Sequence, residues 1–403
     1  MSKEKLKIAI IAPYPSPGEK HIHDSGVASY TKNLVENLKR VNPLLELHII
    51  SDYKNNKIKL YMDDHNIIVH RVYRREPRYI FKVIKAVYRI KPDIIHIQHE
   101  YFLYGGLLTT ILFPLLIALL RLTFHTVIVT MHGVVPLKLL DDQEFKRENG
   151  IRGLTPVLKL GLLLVTKFIV LLSNKIIVHE PYLKEYLVKD YKEKPEKIII
   201  IPHGVENNHN ALPKEEAKKK LGLSERVVLM FFGYLTGYKG IEDLLDMYRE
   251  IAKRIPNTAL IIAGGVHPRL AREEFYREWI RSIIRKAAKI QYELHNKGRI
   301  IFTGYIPEKE IALYFSASDI IVLPYKVRIA ASGPEALALA FEKCYVINSN
   351  KINNKNNYFI KHIINTLLNY EMCAKHSINL KTRRLWKNIA KLHLKTYKNA
   401  IKK

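Results

Sequence analysis

Lys239 stands between a strand-like run, Val227 to Gly233, and an amphipathic stretch opening at Ile241, with Gly240 directly beside it. A lysine in a glycine-containing turn ahead of a helix suits an anion. Its ammonium is a compact charge, glycine lets backbone amides approach closely, and the helix dipole favours negative charge there. Two further helix starts carry a related signature. Pro13 to Thr31 is a Gly/Pro/Ser-rich loop running into a helix near Gly26, and Ser332-Gly333-Pro334-Glu335 puts proline in a first turn beside free amides. Glu335 there either reaches a ligand hydroxyl or simply complements the dipole. His132 ends another apolar run, Thr126 to His132, a position for substrate contact or for a structural imidazole. His203, in Pro202-His203-Gly204, reads as shaping a connector.

The composition says which partners such positions would meet. Lys and Arg outnumber Asp and Glu by 66 to 38 in 403 residues, and the net charge of +28 favours phosphates, nucleic acid or anionic lipid headgroups. The excess is gathered into patches: Lys54 to Lys91 holds eleven cations against three acids, and Lys375 to Lys403 holds ten against none. No Asp-x-Asp pair or His/Cys cluster with ligand spacing occurs, so neither a metal nor a resident cofactor is expected. The only cysteines are Cys344 and Cys373, and no charged-then-apolar leader opens the sequence. The expected compartment is therefore cytoplasmic.

The elements that must position these residues alternate short apolar runs with helical stretches, the pattern of βαβ units whose parallel strands are buried on both faces. Strands are expected at Lys7 to Ala12, Leu47 to Ser51, Ile67 to Arg71, Asp93 to His99, Thr126 to His132, Lys175 to His179 and Lys197 to Pro202. The pattern restarts at Val227 to Gly233, Ala259 to Gly264, Arg299 to Gly304, Asp319 to Pro324 and Cys344 to Ile347. Between the halves, His203 to Pro213 has a connector's composition. The expected class is α/β: a first Rossmann-like domain over 1–205, a second over 206–375 that is trimmed near 348–365, and a basic helix over 376–403. Ligands in such folds bind beyond the carboxyl ends of the strands. Asn348 to Asn357 reads as a polar loop.

Tyr101 to Leu120 carries no charge over twenty residues. Its helical part, Leu107 to Leu120, is about 21 Å long at about 1.5 Å per residue, short of the roughly 30 Å hydrocarbon core. It reads as a buried crossover helix or as an interfacial helix beside the basic patch.

Several turns, taken together, resemble a known family. Ser25-Gly26-Val27-Ala28, Thr130-Met131-His132-Gly133, Phe232-Gly233-Tyr234 with Lys239-Gly240-Ile241, Phe302-Thr303-Gly304-Tyr305-Ile306-Pro307, and Ala317-Ser318-Asp319-Ile320 through Leu323-Pro324-Tyr325 resemble, in order and spacing, the retaining glycosyltransferases of family four. That resemblance implies the GT-B fold, two Rossmann-like domains facing across a cleft, with a nucleotide-sugar donor on the C-terminal domain and a carbohydrate or lipid-linked acceptor on the N-terminal one. It implies His132 and Lys239 as catalytic residues, and Gly26, Gly233, Tyr305, Ser332, Gly333 and Glu335 as donor-binding ones.

The sequence departs from the pattern in three places. Tyr234 stands where the family commonly has arginine. The family's two glutamates, eight positions apart, fall on Ile329 and Leu337 in one register, and the other register keeps Glu335 but puts Val327 at the first position. Only the Asn-rich run follows Cys344 to Ile347 where relatives have a further strand and helix.

The resemblance implies transfer of a sugar to an acceptor hydroxyl with retention of configuration, at a cytoplasmic or peripheral membrane location with an anionic surface as partner. Nucleotide-sugar epimerisation or sugar phosphorolysis on the same fold is the alternative. A non-catalytic nucleic-acid binder is another, although no recognised nucleic-acid motif occurs and no specific nucleic acid is expected.

Overall fold

The computed structural model describes residues 5–16, 26–53, 59–123, 126–207, 210–348 and 355–401. Most of the glycine-rich loop before Gly26, from 17 to 25, lies outside the described residues, as does most of the Asn-rich run.

The first half runs β1 (Lys7–Ile11), α1 (Gly26–Val41), β2 (Glu46–Asp52), β3 (Leu60–Met62), β4 (Ile68–Tyr73), α2 (Tyr79–Ile90), β5 (Ile94–His99), α3 (Leu107–Thr123), β6 (Val127–Met131), α4 (Gln143–Glu148), α5 (Thr155–Leu172), β7 (Lys175–Val178), α6 (Pro181–Lys189) and β8 (Ile198–Ile200). Its eight strands lie in the order β3-β4-β2-β1-β5-β6-β7-β8. All pairs are parallel except the edge pair β3–β4. β5 and β6 are buried along their whole length, as strands covered by helices on both faces must be.

The two faces of this sheet carry separate cores. On one, Val83 of α2, Phe113 and Leu116 of α3, Ile169 of α5 and Leu183 of α6 pack together. The other is filled by Tyr30 and Leu34 of α1 with Trp386, Ile389 and Leu394 from the far end of the chain.

The second half comprises α7 (Lys214–Lys220), β9 (Val227–Phe232), α8 (Ile241–Arg254), β10 (Thr258–Ala263), α9 (Glu274–Leu294), β11 (Gly298–Phe302), α10 (Glu308–Ala317), β12 (Ile320–Leu323), α11 (Gly333–Ala340), β13 (Cys344–Ile347), α12 (Lys355–Leu368), α13 (Tyr370–Arg384) and α14 (Trp386–Ile401). Its five parallel strands are ordered β11-β10-β9-β12-β13. Chain order reverses beside β9, which makes the carboxyl end of β9 the switch point where such sheets open a ligand crevice.

Four elements differ from the sequence expectation, the first being the basic helix expected over 376–403, which is two helices, α13 and α14, parted at Leu385. β3 is a three-residue antiparallel edge strand, too short and too exposed to leave a pattern. α12 starts at Lys355 inside the expected polar loop and buries Phe359, Ile360 and Ile363 against the second core. α5, absent from the expected elements, is as long and apolar as a membrane-crossing helix, yet it connects β6 to β7 within one sheet and anchors Thr166, Ile169 and Val170 in the core.

α14 leaves the second domain and lies against α1 in the first. Tyr397 shares a 2.7 Å hydrogen bond with His96 Nδ1, and Tyr30 contacts His393 Nε2 at 3.3 Å. Gly204 makes this return possible: a Cβ there would fall 2.3 Å from the Trp386 ring.

Candidate active site

The turn after β9 is built around glycines that no other residue could replace. Gly233 has φ +127° and Gly240 φ +73°, and a Cβ on Gly240 would come within 2.2 Å of the Pro324 carbonyl oxygen. This close approach holds the 3₁₀ turn Gly237–Lys239 against the end of β12 and starts α8 at Ile241. A Cβ on Gly264 would lie 1.9 Å from the Gly233 carbonyl, so the ends of β9 and β10 also touch backbone to backbone.

Within this frame the Lys239 side chain folds back over Gly233. A Cβ placed on Gly233 would meet Lys239 Nζ at 2.9 Å and Pro334 Cγ at 3.8 Å. Gly233, Lys239 and the first turn of α11, which the sequence set apart, therefore converge on one spot. Among the described residues no carboxylate pairs with this ammonium. Burial without a partner pushes its pKa down to about 8. Ser332 caps α11 by accepting from the Glu335 amide at 3.2 Å, and none of the described residues fills the space beside Gly333. A desolvated cation facing a helix N-terminus is a site for an anion.

One consequence is a pH dependence with a defined sign. An anion binds the protonated ammonium, so affinity for a probe such as inorganic pyrophosphate should hold steady below pH 8 and weaken up to tenfold per pH unit above it. Titration calorimetry between pH 6.5 and 9.5 checks this, and Lys239→Met should flatten the profile.

The remaining expected residues fall elsewhere. Gly26 opens α1 at the carboxyl edge of the first sheet and is exposed, with none of the described residues within 4 Å of where its Cβ would sit. Tyr305 is 55% exposed in the loop after β11, its Cβ 3.1 Å from where a Cβ on Gly265 would sit.

His132 is buried within the first domain. His179 Nδ1 donates to the Ile201 carbonyl at 2.9 Å, and burial pushes the His179 pKa down to about 3, so its Nε2 accepts from His132 Nδ1 at 3.2 Å. Burial also holds His132 neutral, and its Nε2 lies 2.8 Å from Gln98 Oε1. Both ring nitrogens are thus engaged inside the domain, and the ring packs edge-on against Tyr30. His203 joins the same aromatic cluster with Tyr30, His179 and Trp386.

Glu335 is likewise already partnered. It accepts from Arg328 at 3.0 Å, Arg384 at 3.2 Å and the Tyr345 hydroxyl at 3.2 Å. Arg384 also reaches Glu180 of the first domain at 3.5 Å. Burial, then repulsion from Glu335, pushes the Glu180 pKa up to about 7. Gln98, Glu180 and Arg384 carry no local motif, and their roles depend on partners distant in sequence.

The two domains meet on either side of this region. Val134 donates to the Ile329 carbonyl at 2.8 Å, and Gly133 bridges Ala330 in antiparallel fashion. The Tyr182 hydroxyl donates to the Ala330 carbonyl at 2.8 Å. On the opposite side the Gly237 amide donates to Glu148 Oε1 of α4 at 2.7 Å, and Arg269 donates to the Glu148 carbonyl at 3.1 Å. A cavity of 510 Å³ lies beside this second contact, with Lys146, Arg147, Arg152 and Arg269 among its lining residues. Among the described residues no cluster of three His, Cys, Asp or Glu side chains is arranged to hold a metal.

Two Rossmann-like domains facing across a crevice define a GT-B protein, and the comparisons give the family. The family model described as "Glycosyltransferase Family 4" matches residues 25–209, and that described as "Glycosyl transferases group 1" matches residues 213–348. The chain belongs to the family-four glycosyltransferases.

Among curated proteins it is similar to the GDP-mannose-dependent alpha-(1-6)-phosphatidylinositol monomannoside mannosyltransferase of Mycolicibacterium smegmatis, 26% identical over 145 residues, which are 35% of this chain and 34% of that protein. It is also similar to the mannosylfructose-phosphate synthase of Agrobacterium fabrum, 25% identical over 154 residues, 37% of this chain and 32% of the relative. The chain thus spans about a third of the length of the curated relatives it matches. Among solved structures, the sucrose-phosphate synthase of Thermosynechococcus elongatus shares the fold with a TM-score of 0.69 at 18% identity over 98% of both chains. Anabaena HepE in complex with UDP and glucose does so at 0.64 and 12% identity, over 98% of this chain and 100% of its own.

Proposed function

We propose that this protein transfers a sugar from a nucleotide-sugar donor to an acceptor hydroxyl with retention of configuration. The observation that carries the reading is the desolvated ammonium of Lys239, unpaired among the described residues, held between Gly233 and the start of α11 at the switch point of the second sheet. A diphosphate leaving group develops negative charge as its bond to the anomeric carbon breaks, and a preorganised cation with helix amides stabilises that charge where it grows. The bond to the acceptor oxygen forms on the same face, and the acceptor proton passes to the departing phosphate oxygen. Lys239 is the catalytic residue in this scheme. His132 positions Tyr30 and the wall of the first domain, because both its nitrogens are already engaged.

The donor diphosphate would lie along Gly233, Ser332 and Gly333, with the amides of the first turn of α1 at Gly26 facing it from across the cleft. Tyr305 offers an exposed ring to the nucleoside. Tyr234 adds no cation, so Lys239 and the helix ends supply the neutralisation, and transfer is expected to proceed in chelator without added metal.

The acceptor reading is a lipid-linked or membrane-borne sugar, in a peripheral protein at an anionic membrane surface. The names of the phosphatidylinositol mannosyltransferase and of an alpha-monoglucosyldiacylglycerol synthase, 25% identical over 143 residues, support it.

The test incubates the protein with UDP-, GDP- and ADP-sugars and lipid extracts. Release of the nucleoside diphosphate together with an acceptor product of unchanged anomeric configuration is the expected result. Donor isomerised without acceptor, or turnover that requires inorganic phosphate, would replace transfer with epimerisation or phosphorolysis.

A further inference from the structure

α3 and α5 lie side by side on one face of the first sheet, and neither contains an acidic residue. Their inner faces are in the core through Phe113, Leu116, Ile169 and Val170. Their outer faces remain apolar, which a soluble surface helix does not need. On α3, Leu108, Ile111 and Leu115 are 56%, 52% and 46% exposed, and on α5, Leu160, Leu164 and Phe168 are 56%, 45% and 48% exposed. The spacing of three and four residues puts each set in one stripe.

Charge flanks this patch. α2, which packs beside α3 on the same face, turns Lys82, Lys85 and Arg89 outward together with Phe81 and Tyr88. On the far side α6 adds little free charge, because the Lys184 ammonium donates to the Pro195 and Ile198 carbonyls and Lys189 pairs with Glu185 at 2.6 Å. The amino ends of α3 and α5 lie at the carboxyl edge of the sheet, the edge that borders the cleft.

We propose that the α3–α5 face docks in one leaflet of an anionic lipid bilayer, with the apolar stripes below the headgroups and the cations of α2 among them. Apolar centre and cationic flank complement an anionic interface. A second copy of this chain is a poor occupant by the same measure, because an isologous pair would set like-charged flanks together in a protein of net charge +28. The helices lie flat rather than spanning, since one side of each is fixed to the sheet. This arrangement brings the cleft edge to headgroup height. It deepens the lipid-acceptor reading and rests on it for its purpose, while the binding itself is measured without donor or acceptor.

The experiment is co-sedimentation of the full chain with vesicles of phosphatidylcholine alone and of phosphatidylcholine with 30 mol% phosphatidylglycerol. Strong, salt-weakened binding to the anionic vesicles is expected. Leu164→Glu with Phe168→Glu should lower it at least about 30-fold with unchanged thermal unfolding, because both side chains are half exposed. Lys82→Gln with Lys85→Gln should cost roughly fivefold per lysine on anionic vesicles alone. Lys239→Met should bind vesicles like the wild type, so failure of the donor site and failure of the docking face are separable. Wild-type protein that ignores anionic vesicles, or a Leu164→Glu/Phe168→Glu variant that binds them equally well, overturns the proposal. So does a wild-type dimer in size-exclusion chromatography that the same variant dissolves without any change in vesicle binding.

Discussion

Replacing Lys239 with methionine is expected to lower transfer from a nucleotide sugar by roughly 10³-fold, the upper range for removing one preorganised stabiliser of a developing anion. The protein should meanwhile melt no lower than the wild type. The two outcomes have one cause: the ammonium is half-buried against Gly233 and Pro334 with no carboxylate partner among the described residues, which costs stability in the empty protein and supplies charge once a diphosphate arrives. A structural lysine would behave in the opposite way, losing stability and activity together. Nucleoside diphosphate release and differential scanning calorimetry on the same preparation separate these cases. Lys239→Arg should recover only part of the activity, because the planar guanidinium is bulkier and the turn around Gly240 leaves no room to shift.

The second large effect lies where the two domains and the last helices meet. Arg384→Met is expected to destabilise the protein by about 3 kcal/mol near pH 8, because it leaves the buried Glu180 and Glu335 carboxylates with only Arg328 to balance them. The sign of the pH dependence is fixed. Glu180 has its pKa raised in the fold to about 7, so the folded protein holds a proton that the unfolded chain releases nearer the usual glutamate value. Its contribution is favourable below that usual value and is lost as pH rises through about 7. Arg384→Met should therefore melt increasingly early as pH rises from 5 to 8, with a steeper slope than the wild type. Adding Glu180→Gln should flatten that slope and return part of the lost stability, a coupling that a double-mutant cycle measures. Equal pH slopes in all four proteins would remove Glu180 from the account.

How much of this was legible in the sequence differs from one residue class to the next. The sheets were legible because buried parallel strands such as Ile94–His99 and Val127–Met131 are apolar on both faces and read as continuous runs. The turn at Lys239 was legible because it needs glycine at positive φ on both sides, and glycine shows in a sequence. β3 escaped because a three-residue exposed edge has no periodicity, and α12 because its first turn is polar and only later residues reach the core.

The site was less legible than the fold. The family pattern directed attention to His132 and Glu335 as groups open to a ligand, whereas tertiary partners at Gln98, His179, Arg328 and Arg384 already occupy their polar atoms. Such partnerships are made by topology, through strands and helices that meet only after folding, and residue type alone does not announce them. The apolar outer face of α5 had the same fate: its hydropathy fits a core helix, and only the exposure of Leu160, Leu164 and Phe168 distinguishes it from one.

Titration calorimetry of UDP, GDP and ADP into wild-type protein and Lys239→Met at pH 7 asks most directly whether that ammonium holds a pyrophosphate between the lobes. At least one diphosphate should bind the wild type, and the variant should bind it about 100-fold more weakly while the matching nucleoside binds both proteins alike. Equal diphosphate affinity in the two proteins would contradict the assignment and move the donor site elsewhere.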